Sequence, residues 1–148
     1  MDIINTKNIN EARKEIQKLK GTNEKIIVHA QDDDFNRKIF EIKDVDMIVG
    51  LELFGKDRLK QRGSGMNEVI AKLAKTNNID IGVDLASIRK LDSLERGKVL
   101  GRIRQNIKLC KRTGARIVVI GADSKAASGL IVSLGGNTSQ GKMAYHKA

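Results

Sequence analysis

The amino-acid sequence predicts an α/β domain built on a parallel β-sheet. Short apolar segments alternate with longer segments whose apolar residues recur at helical spacing, which is the order of repeated strand–helix units. The strand segments are apolar throughout rather than alternating, and this indicates strands that are buried on both faces of the sheet. The chain has 148 residues, 40% of them hydrophobic, so we expect one domain over residues 1–148 with a substantial core.

The first half of the chain contains three predicted strands and two predicted helices. The strands cover residues 2–5, 25–30 (KIIVHA) and 46–53 (DMIVGLEL). Residues 8–20 have apolar positions three and four apart and are followed by Gly21, which predicts a helix that ends there. Residues 35–42 form a second, shorter helical segment after a polar loop. Together these segments supply the first three strands of the sheet.

The segment over residues 56–85 joins a basic loop to a helix and then to a strand. The basic loop, residues 56–62, places four cations around Asp57: Lys56, Arg58, Lys60 and Arg62. Ser64 lies between two glycines and is predicted to cap the helix that follows. That helix has Met66, Val69, Ile70 and Leu73 at helical spacing and ends at Asn77 and Asn78. The next segment, IDIGVDL, reads as a buried strand.

The second half begins with a predicted linker that carries Arg89 and Lys90. A long helix over residues 94–112 follows, with an apolar stripe and cations around the rest of its circumference. The stripe is Val99, Leu100, Ile103, Ile107 and Cys110, and we expect Arg102, Arg104, Lys108, Lys111 and Arg112 to face solvent. Residues 116–122 form a fifth strand. Residues 126–134 form a helix, and Thr138 is predicted to cap a last helix that runs to the C-terminus.

Composition excludes several classes of protein. Aromatic residues make up only 3% of the chain, which argues against an RNA-binding sheet that stacks bases on aromatic rings. No apolar segment is long enough to span a bilayer, and the charged N-terminus has no signal-peptide core, so a cytoplasmic protein without a membrane partner is expected. A single cysteine allows no internal disulfide, and Cys110 is predicted to be a buried thiol.

The net charge of +10 comes entirely from one part of the chain. Residues 1–85 contain 15 Lys and Arg and 15 Asp and Glu, whereas residues 86–148 contain 13 cations and three acids, Asp92, Glu95 and Asp123. Between Arg96 and Arg112 seven cations meet no acid, so they repel one another. A field of this kind favours a polyanionic partner, with nucleic acid as the leading candidate. The alternative is a solvated surface with no partner.

Two long segments resemble protein component 3 of archaeal ribonuclease P, the thirty-kilodalton subunit family. They are RGSGMNEVIAKLAKTNNIDIGVDL and RGKVLGRIRQNIKLCKRTGARIVVIGADS, and they follow the family's order between Leu51 and Tyr145. The resemblance implies a barrel of parallel strands and helices. Five predicted strands and an N-terminal segment shorter than the family's indicate TIM-barrel-like parallel βα units in an incomplete or irregular barrel. Its open edge needs a cover.

The resemblance also implies a function. The family's ribonucleoprotein is an endoribonuclease that removes the 5′ leader of precursor tRNA, with catalysis and magnesium supplied by its RNA component. The chain would then be a non-catalytic subunit that binds no cofactor, supports the ribonuclease P RNA and docks protein component 2. The predicted RNA contacts are Lys56, Arg58, Lys60, Arg62, Ser64, Arg89, Lys90, Arg102, Arg104, Lys108, Lys111 and Lys125.

An alternative function is a stand-alone, metal-dependent phosphoesterase of the polymerase-and-histidinol-phosphatase type. His29 ends a strand and is followed by three acids in a loop, Asp32, Asp33 and Asp34, where barrel enzymes place their chemistry. Such sites need several histidines and carboxylates, and this chain has only two histidines. We therefore interpret the three acids as loop and helix-capping residues, and expect no metal. A third alternative is a scaffold that contacts only other proteins.

Three further acids lie in or beside predicted strands: Glu52, Asp80 and Asp84. Buried carboxylates at such positions serve as acid–base groups in some enzymes. Partners for lysine or arginine within the barrel are commoner, and this is the interpretation we favour. No glycine-rich nucleotide-binding motif is present, and no residue of the chain is predicted to be catalytic.

Overall fold

Five parallel strands form one sheet whose spatial order is the same as their order in the chain. The computed structural model describes residues 2–53 and 55–146. The strands are β1 (Ile3–Ile4), β2 (Ile27–His29), β3 (Met47–Val49), β4 (Asp80–Asp84) and β5 (Ile117–Ile120). Each strand pairs with the next one, as in the wall of a barrel. The prediction of TIM-barrel-like βα units in an incomplete barrel is confirmed.

Seven helices connect and flank the described strands. They are α1 (Ile9–Leu19), α2 (Asp33–Phe40), α3 (Glu68–Asn77), α4 (Leu85–Arg89), α5 (Ser93–Thr113), α6 (Ser124–Ser133) and α7 (Thr138–Met143). Each begins after an Asn or Asp whose side chain accepts a hydrogen bond from a first-turn amide. No helix within residues 2–53 and 55–146 combines the length and apolarity needed to cross a membrane.

The sheet has an apolar cluster on each face. Alternate residues such as Val28, Ile48 and Ile81 pack against the helices and belong to the main core. Their neighbours on the opposite face form a smaller cluster: Ile27, Met47, Val49, Val118 and Ile120. The residues of β2, β3 and β5 are buried or nearly so, which confirms the prediction that these strands are covered on both faces.

The C-terminal segment covers the outer edge of β5. The amide of Val119 donates to the carbonyl of Ala144 at 2.8 Å, and Tyr145 forms a parallel bridge to Val119. An edge strand with unpaired backbone groups is thus protected, as the open barrel requires. The last helix ends at Met143 for the same reason, so the prediction that it runs to the C-terminus is wrong within the described residues.

Three predicted element boundaries are also wrong. The strand over residues 46–53 ends at Val49, and a 3₁₀ turn follows. The predicted linker that carries Arg89 is helix α4, because Asp84 accepts from the amide of Ala86 and begins a helix at once. The last helix is capped by Asn137, not by Thr138, and Gln140 completes a capping box there. Local polar side chains decide these boundaries more than apolar spacing does.

Helix α3 begins and packs differently from its predicted form. Asn67 caps it, while Ser64 lies three residues earlier and is buried. Its buried face is centred on Ala71 and Ala74, and Val69 is 63% exposed. Met66, just before the helix, is also buried, whereas the other large apolar residues of the predicted stripe are partly or fully exposed.

Cys110 is buried on α5 and should be unreactive in the folded protein. Its side chain is 1% exposed, which confirms the predicted buried thiol, and burial raises the pKa of the thiol to about 12. Thiolate is the reactive form, so a disulfide reagent at neutral pH should label Cys110 only as fast as the protein unfolds. Labelling in the absence and presence of urea checks this. Rapid labelling of the folded protein would contradict the buried position.

Candidate nucleic-acid interface

Arg102 fastens the basic loop to α5. The Nε atom of Arg102 donates to Oδ1 of Asp57 at 3.0 Å, and Nη1 donates to the backbone carbonyl of Glu52, also at 3.0 Å. The Nη2 atom reaches the second oxygen of Asp57 at 3.4 Å. Arg102 is only 6% exposed, so the prediction that it faces solvent is wrong. The helix buries this face because the loop lies across it.

Asp57, the one acid of the basic loop, forms hydrogen bonds and ion pairs within the protein. Besides Arg102 it accepts from the amide of Gly63 at 2.9 Å, and the guanidinium of Arg62 lies 3.6 Å from its Oδ2. The hydrogen bond from Arg102 has the largest effect, and it holds the pKa of Asp57 below its usual value. Asp57 therefore orders the loop.

Two amide side chains of α5 complete the attachment. Gln105 accepts from the amide of Arg62 at 3.1 Å and donates to its carbonyl at 2.9 Å, as a neighbouring strand would. Its Nε2 also lies 2.8 Å from Oγ of Ser64, and Asn106 donates to the carbonyl of Ser64 at 3.0 Å. Ser64 is buried beneath the loop, so the structure places this predicted RNA contact away from the surface.

Gly101 lets the side chain of Arg62 lie directly on α5. A Cβ atom at Gly101 would be 2.6 Å from both Cζ and Nε of Arg62, closer than real side chains approach. The guanidinium of Arg62 thereby joins the outer face of α5, next to Arg104 one turn further on. Sequence analysis missed the roles of Gly101 and Gln105. The sequence feature that could have indicated these roles is the presence of a glycine and a glutamine among the cations in the middle of a long helix.

The attached loop and α5 enclose a basic cleft of about 530 Å³. Five of the predicted RNA contacts line this cleft: Arg58, Lys60, Arg62, Arg104 and Lys108. With Asp57 as the one acid among the lining residues, five positive charges and one negative charge give the cleft a formal charge of +4. Anionic groups of phosphate size match a cleft of this charge, because several cations converge on one volume.

The other predicted contacts lie elsewhere. Lys56 lines a larger neighbouring cleft of about 1150 Å³, together with Arg58 and Arg62. Lys111 donates to the carbonyl of Gly135 at 3.0 Å. The remaining three are exposed but line neither cleft: Arg89, Lys90 and Lys125. The structure thus places five of the twelve predicted contacts on one surface and the other seven elsewhere.

The repulsion among the seven cations of α5 is partly relieved within the protein. Arg96 donates to the carbonyls of Arg89 and Leu91, both at 2.9 Å, and so closes the end of α4. Lys98 pairs with Glu95 at 3.4 Å. Arg104 and Lys108 have no ion pair among the described residues, and both face the basic cleft. Arg112 is also without an ion pair among the described residues, but it is exposed and lines neither cleft.

The region of His29 consists of capping and packing interactions. Asp32 accepts from the amide of Phe35 at 2.8 Å and caps α2, which confirms its interpretation as a capping residue. Asp34 pairs with Lys38 at 3.0 Å. The imidazole of His29 lies against Gly50, and its Nδ1 is 2.9 Å from the carbonyl of Ala30. Over residues 2–53 and 55–146, no three His, Cys, Asp or Glu residues group as metal ligands.

Glu52 is a buried carboxyl beside the attachment of the loop. Its side chain is 1% exposed, and its Oε2 has no hydrogen-bond partner among the described residues. The pKa of Glu52 is raised to about 7, and burial is the largest cause. A hydrogen bond from its own backbone opposes this rise, the nearby charge of Asp84 adds to it, and the charge of Arg102 has a smaller, lowering effect. The other two acids are structural, since Asp84 caps α4 and Asp80 lies 3.8 Å from Arg116.

The proteins that are similar in sequence to this chain share one name. The chain is 30% identical over 116 residues to ribonuclease P protein component 3 of Methanococcus maripaludis strain C6, and 28% identical to that of Methanocaldococcus jannaschii. Each match covers 78% of this chain. The resemblance to component 3 is confirmed. No family model matches the chain, which spans about half the length of the curated relatives of component 3 that it matches, 47% in both cases.

A solved structure shares the fold. It is a chain of the cryo-EM structure of archaeal ribonuclease P with mature tRNA, with a TM-score of 0.78 and 21% sequence identity. The match covers 95% of this chain and 62% of the other. At this identity the likeness establishes the fold. It shows that the five-stranded parallel sheet with its flanking helices is an arrangement found in a known protein.

Glu52 should make the stability of the protein fall as pH rises. The pKa of Glu52 is about 7 in the folded state, so its proton is kept up to about pH 7, whereas the unfolded state loses it near the ordinary glutamate pKa of 4.5. The free energy of unfolding therefore falls by up to about 3 kcal/mol as the pH rises from 4.5 to about 7. Glu52→Gln keeps the shape without the charge. We expect it to exceed the wild type by about 1–3 kcal/mol at about pH 8 and to match it near pH 5.

Urea unfolding of both proteins at the two pH values measures this difference. Glu15→Gln serves as the control, because Glu15 is half exposed and its pair with Lys18 is a surface pair of little energetic consequence. Equal pH dependence of the wild type and Glu52→Gln would show that Glu52 is ionised in the folded protein across this range.

Proposed function

We propose that this chain is a protein subunit of a ribonuclease P ribonucleoprotein, the endoribonuclease that removes the 5′ leader of precursor tRNA. In this role it binds and supports the catalytic RNA and leaves bond cleavage, with its magnesium ions, to that RNA. Its partners are the ribonuclease P RNA, precursor tRNA within the complex, and other subunits including protein component 2. It acts in the cytoplasm.

The basic cleft is the observation that carries this proposal. Five cations from two separate segments line one volume, and the one acid among them is held by Arg102, Arg62 and the amide of Gly63. Positioning cations in advance lowers the entropic cost of binding, since fewer side chains have to be ordered by the ligand. Phosphate contacts of this kind give affinity without sequence specificity, which suits a folded RNA.

The names of the similar proteins support the same assignment. The curated relatives are ribonuclease P protein component 3, and the structural neighbour is described as archaeal ribonuclease P with mature tRNA. Within the proposal, Arg102 and Ser64 change roles from those expected of the sequence. Both are buried, so they position the loop, and RNA contact falls to the exposed cations of the cleft.

Reconstitution tests the subunit role directly. Archaeal ribonuclease P RNA, component 2 and this chain are combined, and cleavage of precursor tRNA is measured with and without the chain at limiting magnesium. We expect the chain to raise the cleavage rate, because neutralised phosphates let the RNA fold at lower salt. Cleavage that is unchanged by the chain, or phosphodiesterase activity of the chain without RNA, would contradict the proposal.

Removing one cation of the basic cleft should weaken RNA binding and its dependence on salt. Arg104→Ala removes one phosphate contact, so we expect the slope of log affinity against log salt to fall by about 1. Filter binding to a structured RNA at several salt concentrations measures the slope. Lys14→Ala is the control of equal charge, since Lys14 is exposed on α1 and lines neither cleft. Identical slopes for the two variants would remove Arg104 from the interface.

Gly101→Ala should displace Arg62 without harming the fold. The atoms nearest to the added methyl group belong to the flexible end of Arg62, which can move aside, and alanine favours helix over glycine by about 1 kcal/mol. We therefore expect RNA affinity to fall about three- to tenfold while thermal stability is kept or raised. Gly97→Ala is a matched control on the same helix, because a methyl group there meets nothing within 4 Å. Equal RNA affinity for both variants would show that the position of Arg62 is unimportant.

A further inference from the structure

Leu59 occupies the tip of the basic loop and is completely exposed. Arg58 and Gln61 face each other across a two-residue turn, with the amide of Arg58 donating to the carbonyl of Gln61 at 2.8 Å and the return bond at 3.3 Å. Leu59 and Lys60 form the tip. The relative exposure of Leu59 is 101%, so its whole side chain is presented to solvent. A large apolar residue in this position has no role in the core.

The turn is held from both sides, so Leu59 has a defined place. Asp57, just before the turn, is paired with Arg102, and Arg62, just after it, is bonded through its backbone to Gln105. Both partners belong to α5. The tip is therefore a short, closed turn fixed at its base to a 21-residue helix. A side chain presented in this way is available for binding with little loss of backbone freedom.

The surroundings of Leu59 restrict the kind of partner. Leu59 lines the basic cleft together with five cations, so a partner that covers it must be anionic. The other exposed large hydrophobic residues among those described line neither cleft, and a single apolar side chain is less than the apolar core of a protein interface. A polyanion that offers a flat apolar face close to its phosphates is a nucleic acid with an unstacked base.

We propose that Leu59 packs on the face of an unpaired nucleobase while the cations of the basic cleft hold the phosphates beside it. This inference rests on the proposed RNA-binding function and adds a preference for bulged or looped nucleotides. Apolar side chains pack against or between bases in other nucleic-acid complexes, where they take the place that aromatic rings have elsewhere. None of the described residues that line the cleft is aromatic, so Leu59 is the side chain that supplies the apolar contact.

The test compares two hairpin RNAs that differ by one nucleotide. The first has a fully paired stem, and the second carries a single bulged 2-aminopurine in the same stem. We expect the wild type to bind the bulged RNA more tightly, by about fivefold, and the 2-aminopurine fluorescence to rise as the base leaves its neighbours. Leu59→Ala should lose both the preference and the fluorescence change. It should keep its affinity for the paired stem and its salt slope, because it removes no charge.

Two further variants make the outcome decisive. Leu59→Phe should keep the preference for the bulged RNA that Leu59→Ala loses, since an aromatic ring packs on a base at least as well as leucine does. Leu94→Ala, at another exposed leucine, should behave like the wild type. The proposal is overturned if Leu59→Ala keeps the preference, if it weakens both RNAs equally, or if it impairs only assembly with component 2. A wild type that binds neither RNA would instead refute the RNA-binding function itself.

Discussion

The ion pair between buried Arg102 and partly exposed Asp57 is the interaction on which the binding surface depends. Taking the guanidinium of Arg102 out of water is costly, and the cost is recovered only when its donors are satisfied. Here Arg102 also donates to the carbonyl of Glu52, and Asp57 also accepts from the amide of Gly63. If the loop left α5, Arg102 would lose both Asp57 and the cover that the loop provides. The loop and the helix therefore form one unit.

This unit explains how a neutral stretch of chain contributes to a strongly basic surface. Residues 1–85 carry no net charge, yet the basic loop within them supplies three of the five cations in the cleft. Asp57 lines the cleft and cancels one of its positive charges. Its oxygens are also bonded to Arg102 and to the amide of Gly63, so Asp57 orders the cations around it. Charge count alone had assigned the whole excess to the second half of the chain, whereas the binding surface draws on both halves.

The sequence was sufficient for the strand–helix order because that order depends on local apolar spacing. The five strands, the parallel sheet and the buried Cys110 follow from it, whereas the barrel form was implied by the family resemblance. The position of Arg102 does not, since the spacing assumes one apolar face on α5. A second face is covered by a loop 45 residues earlier in the chain. Likewise serine is a residue type that often caps helices, which favoured Ser64. Asn67, however, lies next to the first helical residue and caps α3. A contact between distant segments decided the case of Arg102, and a local capping side chain decided that of Ser64.

The carboxyl of Glu52 shows why the buried network favours a neutral acid. Arg102 and Asp57 already balance each other, with one positive and one negative charge. An ionised Glu52 would add a second negative charge in a place without water, beside Asp84 and without a hydrogen-bond partner for Oε2 among the described residues. The proton on Glu52 therefore removes a buried negative charge beside the Arg102–Asp57 pair. The contact between Glu52 and Arg102 does not need the carboxyl, because Arg102 donates to the backbone carbonyl of Glu52.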